Sequence, residues 1–235
     1  MGQKKLLRFA QIKDMPNVFE YPTNIAGKWN QMLNNDLPIV LELACGRGEY
    51  AIGLAKLFPD QNFIGVDVKG NRMYLGAKKA LDLPLPNAIF LRTQIEMLPE
   101  YFLQDEVNEI WITFPDPQLR TSRAKKRLTH PRFLRLYQKV LTKNGSIHLK
   151  TDSPDLYQFT LKVAALYGLI IHESCDDVYA QTTIDQRLTI KTHYESLDIA
   201  GSNKIFYLRF SLPETIADKD DELQYLLKQT ETSEP

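Results

Sequence analysis

Four acidic residues stand at or beside the ends of apolar runs: Glu42 within residues 39–43, Asp67 after 63–66, Asp116 inside the tetrapeptide FPDP at 114–117, and Asp152 after 146–150. Carboxylates in such places can accept hydrogen bonds from a sugar or a base, or stabilise a positive charge. Between the first two lies Gly46-Arg47-Gly48. Glycines there allow a sharp turn and a close approach of backbone to ligand. Asp67 falls roughly 20 residues further on, where an acid binds ribose hydroxyls in nucleotide-binding folds. Glu42, Gly46, Gly48 and Asp67 are therefore expected to form a nucleoside site.

The kind of nucleoside follows from what the loop lacks. A dinucleotide fold places a third glycine three residues after the second, against a helix N-terminus that faces a pyrophosphate. Here Ala51 holds that position and Gly53 arrives two residues late. Glu42 would repel a pyrophosphate and suits a cation. S-adenosylmethionine, with an ammonium and a sulfonium, is the expected ligand.

These residues need rigid elements to hold them. Residues 39–43, 63–66, 88–92, 109–114, 146–150, 169–172 and 204–210 read as strands, and 52–57, 70–81, 95–103, 131–141 and 154–167 as helices. Ser153 and Pro154 supply an N-cap and a first helical residue, and Asn144-Gly145 closes the preceding helix. The alternation predicts an α/β fold: a Rossmann-like, S-adenosylmethionine-dependent methyltransferase architecture with a seven-stranded, mostly parallel sheet and helices on both faces. Residues 1–37 read as an N-terminal arm, 38–212 as the methyltransferase domain and 213–235 as an acidic C-terminal tail. In open α/β sheets ligands bind outside the carboxyl ends of the strands, so Asp116, stiffened by prolines on both sides, should share an edge with the glycine loop.

The 29 basic and 29 acidic side chains cancel, but their distribution does not. Residues 119–135 carry Arg120, Arg123, Lys125, Lys126, Arg127, Arg132 and Arg135 with no acid among them, and the acidic residues of 214–234 offset them. A basic run just beyond a substrate edge suits a nucleic-acid backbone, and Arg123, Lys125, Lys126 and Arg127 are the expected phosphate contacts. Two widely separated cysteines, Cys45 and Cys175, argue against a disulfide scaffold, and four scattered histidines form no metal-binding spacing. No apolar run approaches the roughly 20 residues of a membrane span. The expectation is a cytoplasmic protein without a metal, compatible with a homo-oligomer. A small-molecule methyltransferase and a noncatalytic RNA-binding protein with this fold remain the alternatives.

LELACGRG, FIGVD, FPDP with its basic run, HLKTD and the late THYE together resemble the bacterial tRNA (guanine-N7)-methyltransferase (TrmB) family, over roughly residues 37–210. The resemblance implies S-adenosylmethionine as methyl donor and a guanine of the tRNA variable loop, position 46, as acceptor. It implies that Glu42 and Asp67 are cofactor acids and that Asp116 lies near both cofactor and guanine. Arg120, Asp152, Thr192, Tyr194 and Glu195 match positions implicated in substrate binding. Asp116 and Asp152 are the expected catalytic acids. Gln118 stands where the family usually has tryptophan, Arg120 replaces a common lysine, and Thr93-Gln94 replaces a typical aspartate, so the adenine contact falls to an amide or hydroxyl, with Gln94 the expected cofactor residue.

Overall fold

In a computed structural model, which describes residues 2–197 and 201–232, one sheet organises the chain. Its strands are β1 (Val18–Glu20), β2 (Ile39–Leu43), β3 (Asn62–Asp67), β4 (Ala88–Arg92), β5 (Val107–Thr113), β6 (Leu141–Thr151), β7 (Ile170–Cys175) and β8 (Phe206–Ser211). The spatial order is β1-β4-β3-β2-β5-β6-β8-β7. The first six strands are parallel, and β8 runs antiparallel between β6 and β7. From β2 the chain builds outward to β3 and β4, then returns to place β5 on the other flank. The crevice between the carboxyl ends of β2 and β5 is thus the switch point at which such sheets bind ligands.

Alternation along the strands divides the core. Ile39, Leu41 and Leu43 of β2, Ile110 and Ile112 of β5, and Ile147 and Leu149 of β6 face one side. There they pack with α5 (Leu98–Tyr101), α6 (Pro131–Tyr137), α7 (Pro154–Tyr167) and α8 (Asp220–Thr232). Val40, Phe63, Phe90, Trp111 and Tyr207 face the other, against α3 (Glu49–Leu57) and α4 (Gly70–Asp82), while α1 (Gly2–Gln11) and α2 (Trp29–Leu33) lie in the segment before β2.

The strand count corrects the expectation of seven. The extra strand, β1, lies within the segment read as an arm and is too short to show periodicity. It pairs Val18 with Phe90 and Glu20 with Arg92 along the open edge of β4. Phe19 packs edge-on against Trp29, which stacks on Phe102 and donates its indole N–H to the Tyr101 carbonyl at 2.8 Å. At the other terminus α8 buries Leu223 and Leu227, and Asp220 receives both guanidinium arms of Arg135 at 2.8 and 3.0 Å.

Some boundaries also move. The helix expected over 131–141 ends at Tyr137, because Val140 and Leu141 are drawn into pairing with Val107. Asn144-Gly145 consequently sits in a bulge of β6, between the Val107–Leu141 and Glu109–Ser146 pairs. The segment 95–103 is broken by Pro99 into a 3-10 turn and the short α5. The helix at 154–167 forms with its expected cap: the Ser153 hydroxyl accepts the Leu156 N–H at 3.2 Å, and Gly168 closes it at φ +70°.

Gly76 brings α4 against the glycine loop. A Cβ there would lie 2.4 Å from the Arg47 carbonyl oxygen and 2.9 Å from the Phe90 ring. Gly76→Ala must push helix and loop apart, so it should cost about 1–3 kcal/mol in urea unfolding, and the same shift should weaken ligand binding at the loop. An unchanged denaturation midpoint would show that the helix yields without strain.

Candidate functional site

The turn after β2 is built from unusual backbone. Ala44, Gly46 and Gly48 all have left-handed φ angles, +56°, +55° and +65°. This costs nothing for glycine but strains alanine. The Gly48 N–H donates to the Cys45 carbonyl at 2.7 Å, closing the turn. A Cβ on Gly48 would stand 2.3 Å from the Phe90 ring, whereas one on Gly46 would project beside the Tyr194 ring at 3.8 Å. Gly46 thus borders the space beside the Tyr194 ring, and Gly48 lets the loop lie close against Phe90.

Asp67 fixes this loop from the next strand. One carboxylate oxygen accepts the Gly46 N–H at 2.8 Å and the other the Lys69 N–H at 2.7 Å. Each oxygen retains a lone pair for a further donor. Glu42 is buried deeper, 3% exposed. Its carboxyl accepts the Ala51 N–H at 2.8 Å and the Thr113 hydroxyl at 2.9 Å, joining the start of α3 to the end of β5 across the switch point. Burial raises its pKa to about 8, since desolvation disfavours the charged form.

Around this edge opens a cleft of about 1050 Å³. It gathers Glu42, Gly46, Asp67, Gln94, Asp116, Asp152, Thr192 and Tyr194, all singled out in the sequence, from segments far apart in the chain. Lys126 reaches its rim. Thr93 also lines it; its hydroxyl is buried and has no hydrogen-bond partner among the described residues. The end of β4 thus offers the cleft both this orphaned hydroxyl and the exposed amide of Gln94. Sequence reasoning also passed over Arg72, which lies 5.6 Å from the centre of the Tyr194 ring, and Phe133 in the cleft wall. A positive charge on one helix facing an aromatic ring on a distant loop leaves no local signal. Acids, glycine space and an unsatisfied hydroxyl fit a nucleoside bearing positive charge.

The FPDP tip is stiffened from both sides. Phe114 turns at φ +46° with its N–H on the Lys150 carbonyl at 2.8 Å, and Asp116 accepts the Gln118 N–H at 3.0 Å. Arg127, expected among the phosphate contacts, turns inward instead. Its guanidinium donates to the carbonyls of Pro117, Gln118 and Leu119 at 3.1–3.2 Å and lies 4.4 Å from the centre of the Phe159 ring. It is 5% exposed, so it braces the loop that carries Asp116. Arg120, Arg123 and Lys125 beyond the rim and Lys126 at it remain exposed, with no ion pair among the described residues. Glu195, expected to touch substrate, does not line the cleft: it pairs with Lys150 at 3.0 Å beneath it.

The raised pKa of Glu42 has a definite sign. Its protonated form is favoured on folding, so that stabilisation is complete below about pH 4.5 and is lost as pH rises through about 8. Glu42→Gln keeps the contacts to Ala51 and Thr113 and removes the ionisable proton. Relative to wild type, the empty variant should melt higher above pH 8 and similarly near pH 5, while a cationic nucleoside should bind it more weakly. Wild-type affinity for that ligand should rise with pH and level off above about 8; parallel melting curves at both pH values would refute the assignment.

Residues 36–208 match a family described as "Putative methyltransferase". The tRNA (guanine-N(7)-)-methyltransferase of Porphyromonas gingivalis is 47% identical over 215 residues, covering 86% of this chain and 87% of the relative. The protein of the same name from Bacteroides fragilis is 44% identical over 223 residues, covering 91% and 88%. Among solved structures, the 16S rRNA methyltransferase KamB shares the fold with a TM-score of 0.60 at 18% identity, over 79% of this chain and 93% of that one. With relatives this similar over nearly their whole length, and a cleft at the sheet's switch point, the chain belongs to the tRNA (guanine-N(7)-)-methyltransferase family.

Proposed function

We propose that this protein transfers a methyl group from S-adenosylmethionine to N7 of a guanine in tRNA, at position 46 of the variable loop, leaving 7-methylguanosine, and that it does so in the cytoplasm. The observation that carries the reading is the shared cleft, in which Glu42, Gly46 and Asp67 lie on the same sheet edge as Asp116 and Asp152. The names of the close relatives support the choice of base and RNA.

S-adenosylmethionine, when bound, supplies a methyl group on a positively charged sulfur. Gly46, Asp67 and Thr93 would hold the nucleoside, and the buried Glu42 would favour the positive charge. Neutral guanine has a free lone pair at N7, so no residue need remove a proton first. The chain's task is alignment and electrostatics. Asp116 and Asp152 would accept hydrogen bonds from guanine N1–H and the N2 amino group, orienting the base and stabilising the charge that develops on the ring. The base has to leave its stack to enter. Arg120, Arg123, Lys125 and Lys126, exposed beyond the Asp116 tip, would hold the flanking phosphates.

Unmodified tRNA incubated with isotopically labelled S-adenosylmethionine and digested to nucleosides should yield labelled 7-methylguanosine by mass spectrometry, and its absence would overturn the proposal. An amide presents an NH2 where guanine requires an acceptor. Asp116→Asn or Asp152→Asn should therefore slow single-turnover methylation about 100-fold or more in at least one case; wild-type rates in both folded variants would remove these acids from the mechanism.

The basic surface has a separate test. Replacing Arg123, Lys125 and Lys126 together by alanine should lower the salt slope of tRNA binding by up to about three without changing thermal stability. Arg127→Ala should do the reverse, lowering the melting temperature because carbonyls 117–119 lose their donor. Equal salt slopes for triple variant and wild type would show that the exposed charges face away from RNA.

A further inference from the structure

Lys150 lies within β6 with no exposed surface, although a buried ammonium is costly unless fully paired. It is fully paired. Nζ donates to the carbonyls of Leu188 at 2.8 Å and Ile190 at 2.9 Å and to Glu195 Oε2 at 3.0 Å. The rings of Tyr50, Phe114 and Tyr179 surround it with centres 5.5–5.8 Å away. The other oxygen of Glu195 accepts the Tyr179 hydroxyl.

All three acceptors lie on the long connection between β7 and β8, and they bracket a short stretch of it. Within that stretch Thr192 and Tyr194 enter the cleft. The backbone here has no ladder of its own, only 3-10 turns at Gln186–Thr189 and Glu195–Leu197, so its carbonyls need donors from elsewhere. Its other fastenings include the His193 N–H on Glu49 at 2.9 Å, the Tyr50 hydroxyl on the Arg187 carbonyl at 2.5 Å and the Leu188 side chain in the core. An apolar side chain at 150 would fill the sheet face equally well, but it could not hold two carbonyls and a carboxylate at once.

We infer that Lys150 is a positioning residue for the methyl-donor site: by gripping residues 188, 190 and 195 from the sheet it fixes Thr192 and Tyr194 over the Gly46 loop, with Glu195 as its counter-ion. The inference rests on the reading of the cleft as the S-adenosylmethionine site.

The test uses Lys150→Met with Glu195→Gln in one chain, which removes both charges and leaves no buried ion unpaired. This variant should melt within a few degrees of wild type yet bind S-adenosylmethionine about tenfold or more weakly by calorimetry, the scale of losing hydrogen bonds to a charged group. Hydrogen exchange should quicken in residues 186–195. Donor affinity within about twofold of wild type in the folded variant would reduce Lys150 to a packing residue and overturn the inference. Should that chain fail to fold, Glu195→Gln alone, which preserves shape, should weaken donor binding about threefold and quicken exchange in the same residues; wild-type values for both would overturn it. A wild-type protein that bound no S-adenosylmethionine would overturn the reading of the cleft as well.

Discussion

The site depends on one constraint, the divergence of two adjacent parallel strands and the need to hold their ends together. At the switch point β2 continues into the glycine loop and β5 into the FPDP tip. Glu42 spans the gap between them, with one oxygen on the Ala51 N–H and the other on the Thr113 hydroxyl. Burying an acid there is unfavourable for its ionised form, and that is the form a cationic ligand would favour. The cleft is therefore least comfortable when empty at high pH, and under the proposed function the residue that organises the edge would also favour a cationic ligand.

The two halves of the cleft are stiffened by different means. On the donor side, rigidity comes from backbone: left-handed turns at Ala44, Gly46 and Gly48, and an Asp67 carboxylate shared between two N–H groups. Behind the Asp116 tip, and on the β7–β8 connection that closes over the donor loop, it comes from cations turned inward. Arg127 holds carbonyls 117–119 behind Asp116, and Lys150 holds carbonyls 188 and 190 behind Thr192 and Tyr194. Both are buried beside aromatic rings. Irregular loops have unsatisfied carbonyls, and a multi-donor cation can satisfy several from one point. Sequence position alone does not separate such a cation from one that meets RNA.

The second sheet face carries further polar groups where a helix would otherwise pack. His148 stacks 4.0 Å from Trp111, meets the Tyr207 hydroxyl at 2.8 Å and approaches Glu109 at 3.3 Å. Burial keeps the His148 imidazole neutral-leaning. With Lys150 these side chains form the floor on which the β7–β8 connection rests, and that connection brings the last wall of the cleft.

By itself the sequence determined the elements and the edge. Apolar runs placed β2 to β8, Ser153-Pro154 placed the start of α7, and the glycine loop with acids at strand ends placed Glu42, Asp67, Asp116 and Asp152 on one edge of the sheet, because a parallel sheet puts all its carboxyl ends together. The FPDP tip with its basic run, together with THYE, carried the family. Tertiary structure alone decided which residues of a motif face the ligand. Within 119–135, Arg127 goes inward while Lys126 reaches the rim; within THYE, Thr192 and Tyr194 enter the cleft while Glu195 is taken by Lys150. It also decided β1, a three-residue strand formed only because β4 leaves an open edge. Motif spacing records which residues arrive at a site, but the direction of each side chain depends on carbonyls and rings contributed by segments that spacing does not connect.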